Sequence, residues 1–146
     1  HALSARTENR WLLVHNNSYH FAIGFFALLA AGKHIVLPPN AQAGTLTSLA
    51  DFFDADYASL TPQTRSRNDD NVIHNTALDL DALTVTLLTS GSTGAAKAIT
   101  KTLRCLDAEI QTLEALWGET LGNAAVFATV SHQHIYGLLI RDLWPL

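Results

Sequence analysis

Six small polar residues in a row, Thr89, Ser90, Gly91, Ser92, Thr93 and Gly94, follow directly on the apolar, β-branched stretch 83–88 (LTVTLL), and Lys97 comes three positions later. Four of the six carry hydroxyls. The two glycines open backbone angles that other residues avoid. Free N–H groups in such a turn can converge on an anion, as they do in other phosphate-cradling loops. Lys97 adds a flexible point charge able to reach a phosphate oxygen. The chemistry implied is phosphate binding. The pattern is not G-x-x-x-x-G-K-[ST], because Lys97 does not directly follow the second glycine, and it is not G-x-G-x-x-G. Ser/Gly clusters are also ordinary loop punctuation, so these residues alone leave open a flexible turn between two strands.

A second chemical stretch is 130–137 (VSHQHIYG). His132 and His134 lie two apart, so on an extended segment they point to one side and could share a zinc ion. Two ligands are too few, and His1, His15, His20, His34 and His74 show no spacing that supplies a third. Ser131 beside a histidine suggests a hydrolase, but no G-x-S-x-G elbow is present. Asp69 and Asp70 could hold a metal, although paired acids in a mixed-charge run usually belong to a solvated surface. Cys105 reads as a small core or boundary residue.

These residues need a scaffold to position them. With 146 residues, 48% of them hydrophobic and 15% charged, the chain suits one globular domain. Trp11 to Val14 reads as a strand. Asn16, Asn17 and Ser18 offer cap chemistry for a helix through Tyr19–Ala31, which Gly32 can end. That helix is apolar nearly all round, so burial is expected; it is shorter than the roughly 20 residues that span a bilayer. His34 to Leu37 reads as the next strand, giving a βαβ unit with parallel strands and a right-handed crossover. A second helix is expected at Thr45–Phe53 and a short strand at Asp56–Leu60. Residues 61–81 read as a polar loop. Ala98 to Thr102 alternates like a strand returning from the Ser/Gly turn, which makes that turn a hairpin-like connection. Leu103, Leu106, Ile110, Leu113 and Trp117 then recur at helical steps, with Thr102 as cap and Gly118 as stop. Ala124 to Val130 reads as a further strand, placing the histidine stretch at its carboxyl end, where open α/β sheets hold ligands. The expected fold class is α/β, a layered domain with a largely parallel central sheet.

The segment Thr89 to Lys97 resembles the phosphate-loop signature T-S-G-[ST]-T-G-x-P-K-G of the AMP-forming adenylating enzymes. That group comprises acyl- and aryl-CoA synthetases, luciferases and the adenylation domains of peptide synthetases. Ala96 replaces the usual proline and Ala98 the usual glycine. Residues 130–137 are similar to the H-x-Y-G segment of acyl- and aryl-CoA ligases. The resemblance implies that Thr89, Ser90, Gly91, Ser92, Thr93, Gly94 and Lys97 hold the phosphates of ATP, with Mg2+ bridging phosphate oxygens. It implies that His134, the catalytic residue, lies beside the carboxylate being activated, that His134, Tyr136 and Gly137 bind the substrate, and that Gly137 leaves room for the acyl tail. The implied activity is conversion of a small carboxylic acid to an acyl-adenylate. Transfer then goes to a thiol, either of coenzyme A or of the phosphopantetheine of an acyl carrier protein.

Family members carry an adenine-binding segment, a ribose-binding aspartate, a hinge and a C-terminal lid with a lysine. None of these has a counterpart here. Residues 1–146 therefore read as part of a large N-terminal AMP-binding domain, inactive as a ligase by itself. The formal charge of −4 and the lack of a basic run argue against a nucleic-acid partner. A single cysteine points to a reducing, cytoplasmic setting. Two alternatives remain: a non-catalytic nucleotide- or phosphate-binding module, and an α/β scaffold whose Ser/Gly turn binds nothing.

Overall fold

A computed structural model describes residues 3–60, 77–90 and 96–146. Five strands, β1 (Arg10–Leu12), β2 (His34–Leu37), β3 (Ala55–Asp56), β4 (Thr84–Ser90) and β5 (Ala96–Thr102), form one sheet in the order β3-β1-β2-β4-β5. The pairs β1/β2, β1/β3 and β2/β4 are parallel and β4/β5 is antiparallel. The chain is therefore α/β with a mostly parallel sheet. β4 and β5 keep an unbroken register from Thr84↔Thr102 to Ser90↔Ala96, so the turn after β4 is a hairpin connection, as its sequence suggests.

Helix α1 (Ser18–Ala30) crosses between β1 and β2. It starts where the Asn17 side chain accepts from the His20 amide (3.1 Å). It ends in a Schellman closure, with Gly32 N–H donating to Leu29 O and Lys33 N–H to Leu28 O, both at 2.9 Å. Gly32 has φ +71°, a conformation that a side chain would strain. Phe21, Phe25, Leu28 and Leu29 pack on alternate strand residues Trp11, Ile35, Leu37, Val85 and Leu87. Each such side chain contributes about 1.5–3 kcal/mol on burial. The helix is not buried all round, however: Tyr19, Ile23 and Phe26 remain exposed.

The intervening strand residues Leu12, Val36 and Leu88 face the other side of the sheet and meet Leu49. Leu49 follows α2 (Ala43–Ser48), which gives way to a 3-10 turn at Ala50–Phe52 instead of continuing as one helix to Phe53. The expected strand at Asp56–Leu60 is shorter. Asp56 turns its carboxylate onto the Ala58 amide (2.9 Å), and a 3-10 turn, Tyr57–Ser59, follows β3. Arg10 fastens β1 to the residues before β3, donating to Asp54 from Nε (3.1 Å), Nη2 (2.6 Å) and its own amide (2.8 Å).

Helix α3 (Leu103–Leu121) begins on the Thr102 cap and runs past Gly118 to Gly122, whose φ is +49°. A glycine within a helix lowers its stability without stopping it. Leu103 and Leu106 are buried against the α1 side of the sheet, and Cys105 is exposed rather than a core residue. Residues 124–129 form no strand, against expectation, and Phe127 is 94% exposed. Apolar, β-branched residues make a strand only where a neighbouring edge takes up their backbone groups, and the described sheet includes no strand from this segment. A π-helix, Gly137–Leu143, closes the described chain and buries Leu138 and Leu139 in the core shared with α1 and α3.

Candidate functional site

Thr89, Ser90 and Lys97 stand at the mouth of the β4/β5 hairpin, at the carboxyl edge of the parallel strands. The Thr89 hydroxyl donates to the Lys97 carbonyl (3.3 Å), tying the two strands together just before the turn. Lys97 is exposed on the edge strand β5. By the two-residue alternation it shares a face with Lys101, which is ion-paired to Glu109 of α3. Gly91, Ser92, Thr93 and Gly94, the centre of the phosphate-loop signature, lie outside the described residues, as do Asp69 and Asp70.

The histidine stretch also sits at this edge of the sheet. A turn closes with the His134 amide donating to Ser131 O (3.0 Å), and the Leu138 amide donates to His134 O (2.8 Å) to begin the C-terminal helical segment. His134 and Tyr136 face outward, Tyr136 with 69% of its surface exposed. Gly137 is buried with its α-carbon against backbone: a Cβ there would lie 2.0 Å from Ser131 O. The space that Gly137 leaves among the described residues is thus filled by the backbone of residues 131 and 132.

His132, to which the family resemblance assigns no role, is the buried member of the pair (3% exposed). The two histidines therefore do not point to one side. Its Nε2 meets the carbonyl of His15, in the turn leaving β1, and its ring lies 4.2 Å from that of Phe21. Its Nδ1 is 4.0 Å from Oδ2 of Asp142. Burial raises the Asp142 carboxyl above the usual carboxylate range, while the His132 ring, the Ser18 hydroxyl and Arg141 pull it back. An aspartate inside the apolar run 137–143 was the one sequence signal for this contact, since a buried acid needs a partner. His15, Asn16, Thr129, Ser131, His132 and Arg141 line a polar hollow of about 260 Å³ beside it.

Since the His132 contact anchors the histidine stretch to the end of β1, and β2 alone separates β1 from β4, the two chemical stretches share one edge. Two inter-strand spacings, roughly 10 Å, separate the ends of β1 and β4. No group of three or more His, Cys, Asp or Glu side chains fit to hold a metal occurs among the described residues. No described helix is long and apolar enough to cross a membrane.

No family model matches the chain, and no solved structure matches it. Over 84 residues, 58% of this chain, it is 32% identical to the probable CoA ligase CCL8 of Humulus lupulus. The chain covers 14% of that relative, so the similarity is to a small part of a much longer ligase.

Proposed function

We propose that this chain is part of an AMP-forming acid–thiol ligase. The observation that carries the reading is the 32% identity over 84 residues to a CoA ligase. It is supported by the phosphate-loop signature falling at a hairpin on the carboxyl edge of a mostly parallel sheet, the edge where α/β sheets hold their ligands.

In that reaction a carboxylate oxygen attacks the α-phosphorus of ATP. The bond to the bridging oxygen breaks, pyrophosphate leaves with the electron pair, and an acyl-adenylate forms. A thiolate, from coenzyme A or a carrier-protein phosphopantetheine, then attacks the acyl carbonyl and AMP departs. The protein does little covalent work; holding the triphosphate and the carboxylate in line is its main contribution. The exposed Lys97 amine reaches from β5 towards phosphate oxygens, and backbone N–H groups and hydroxyls of 90–94 complete the cradle. Thr89, whose hydroxyl is engaged with the Lys97 carbonyl, sets the width of the hairpin mouth. Mg2+, if bound with the triphosphate, would supply charge neutralisation at the phosphate oxygens. His134, exposed at the head of its turn, faces the acyl carboxylate, with Tyr136 beside it; Gly137, packed against the backbone of residues 131 and 132, lets that turn close and leaves no passage for the tail.

The test is carboxylate-dependent ATP–pyrophosphate exchange by the product of the whole gene, over a panel of fatty and aromatic acids. Lys97→Ala and His134→Ala are run in parallel. Exchange that needs an acid and falls at least tenfold in both variants supports the ligase. ATP binding without exchange, for every acid, replaces it with a nucleotide-binding module.

A further inference from the structure

Ser18, His132 and Asp142 form a buried polar group that the ligase reading does not use. The side chains of His132 and Asp142 are 4% and 3% exposed. Ser18 Oγ, His132 Nδ1 and Asp142 Oδ2 are all buried, and none meets a hydrogen-bonding partner among the described residues. Ser18 is near enough to the Asp142 carboxyl to favour its charged form, yet makes no hydrogen bond of good geometry. Leaving one such atom unpaired costs about 1–3 kcal/mol, so three orphans in one place call for a shared partner.

The spacing identifies that partner. At 4.0 Å, Nδ1 and Oδ2 are too far apart to bond directly. Two atoms each about 2.8 Å from a common oxygen stand that far apart when the angle at the oxygen is roughly a right angle. Three protein partners is the usual coordination of a buried water. We infer that Ser18, His132 and Asp142 enclose one buried water molecule, and that this cluster positions the turn carrying His134, Tyr136 and Gly137.

The hydrogens can be assigned consistently. The His15 carbonyl can only accept, so His132 carries a proton on Nε2 and donates it there. In the neutral ring Nδ1 then presents its lone pair to the water. The water donates one hydrogen to Nδ1 and one to the Asp142 carboxylate, and accepts from the Ser18 hydroxyl. Four segments meet here: the turn after β1, the first residue of α1, the histidine turn and the π-helix. Among the described residues, His15 and Arg141 line the hollow beside the cluster, and the His20 ring lies 5.0 Å from that of His15. His132 and Asp142 are positioning residues. What they position matters to catalysis only if the ligase reading holds, but the cluster itself does not depend on it.

The test is a high-resolution crystal structure of this chain, together with 15N spectra of His132 in the wild type and in Asp142→Asn and Asp142→Leu. One ordered water within about 3.2 Å of all three atoms is expected, with the His132 proton on Nε2. Asp142→Asn keeps an acceptor and should retain both the water and the tautomer. Asp142→Leu should lose the water, release His132 to a mixture of tautomers and shift the His134 amide signal. A direct His132–Asp142 hydrogen bond with no water between, or a wild-type proton on Nδ1, overturns the proposal. So does an unmoved His134 signal in folded Asp142→Leu. Should that variant not fold, the wild-type water and tautomer decide the matter. None of these measurements uses ATP, so failure of the ligase reading leaves them unaffected.

Discussion

Gly137→Ala tests whether the histidine turn is as closely packed as the geometry indicates. A Cβ at this position would lie 2.0 Å from Ser131 O, 2.5 Å from Ser131 C and 2.9 Å from His132 N. An ordinary contact is about 3.5 Å, so the two backbone segments must part by more than about 1 Å. Neither can move freely, because His134 donates to the same Ser131 carbonyl and His132 is held on His15. Gly137 has no positive φ, so the cost is steric. Overpacking typically costs about 1–3 kcal/mol and occasionally more; rigid backbone on both sides puts this site at the upper end, about 3 kcal/mol. For a domain of this size that lowers Tm by roughly 10 °C. Two further glycines calibrate the measurement. Gly24 faces the side-chain tips of Leu13 (2.8 Å) and Tyr57 (2.9 Å), which can swing aside, so Gly24→Ala should cost only about 1 kcal/mol. Gly44 in α2 has nothing within 4 Å, and Gly44→Ala should stabilise by about 0.5–1 kcal/mol. Urea unfolding of all three variants gives the order directly. If Gly137→Ala costs less than Gly24→Ala, the close approach of 137 to 131 is wrong, and the account of the turn goes with it.

Other predictions follow from the caps and charges. Thr102→Ala removes the side chain that accepts from the Cys105 amide (3.3 Å) and should cost about 1 kcal/mol in urea unfolding, whereas Thr102→Asp should retain most of it. Hydrogen bonding to Arg10 is the main cause that holds the Asp54 carboxyl down at about 2, below the usual carboxylate range. A lowered carboxyl stabilises above its unfolded pKa and loses that stability as pH falls through its folded one. After allowance for solvent screening, Asp54→Asn should cost about 1 kcal/mol at neutral pH, and the difference should vanish as pH falls from about 4 to 2. Asp142 works in the opposite sense: its raised pKa makes stability fall as pH rises, a slope that Asp142→Asn should remove in the same titration.

The βαβ unit was legible because its signals are local. Asn17 and Gly32 mark the ends of α1, and His34–Leu37 is a strand at the bounds its sequence suggests. The hairpin after β4 was legible for the same reason, from alternation on either side of a small-residue turn. Residues 124–129 misled because strand propensity says what a segment suits, while a partner edge decides whether it forms. Trp117 extends the apolar stripe of α3 in sequence but is 50% exposed, since the packing of that helix is concentrated in its first turns. His132 and His134 differ by two positions and by nearly everything else. Only the fold distinguishes the buried ring from the exposed one, and no periodicity in VSHQHIYG could have done so.

The π-helix at Gly137–Leu143 advances through a smaller angle per residue than an α-helix, as the Trp144 amide reaching back five residues to Leu139 O (2.8 Å) shows. Such a wide turn amounts to an α-helix with one residue too many, so its register is a stored choice. Rewinding the segment as α-helix with every residue kept would advance each later residue further about the axis. Leu138 could still fill the core, but Asp142 would swing away from His132, whereas deleting one residue between 138 and 141 would take up the surplus and leave Asp142 close to its present bearing. The angular setting of a single wide turn thus decides whether the acid and the imidazole meet at all.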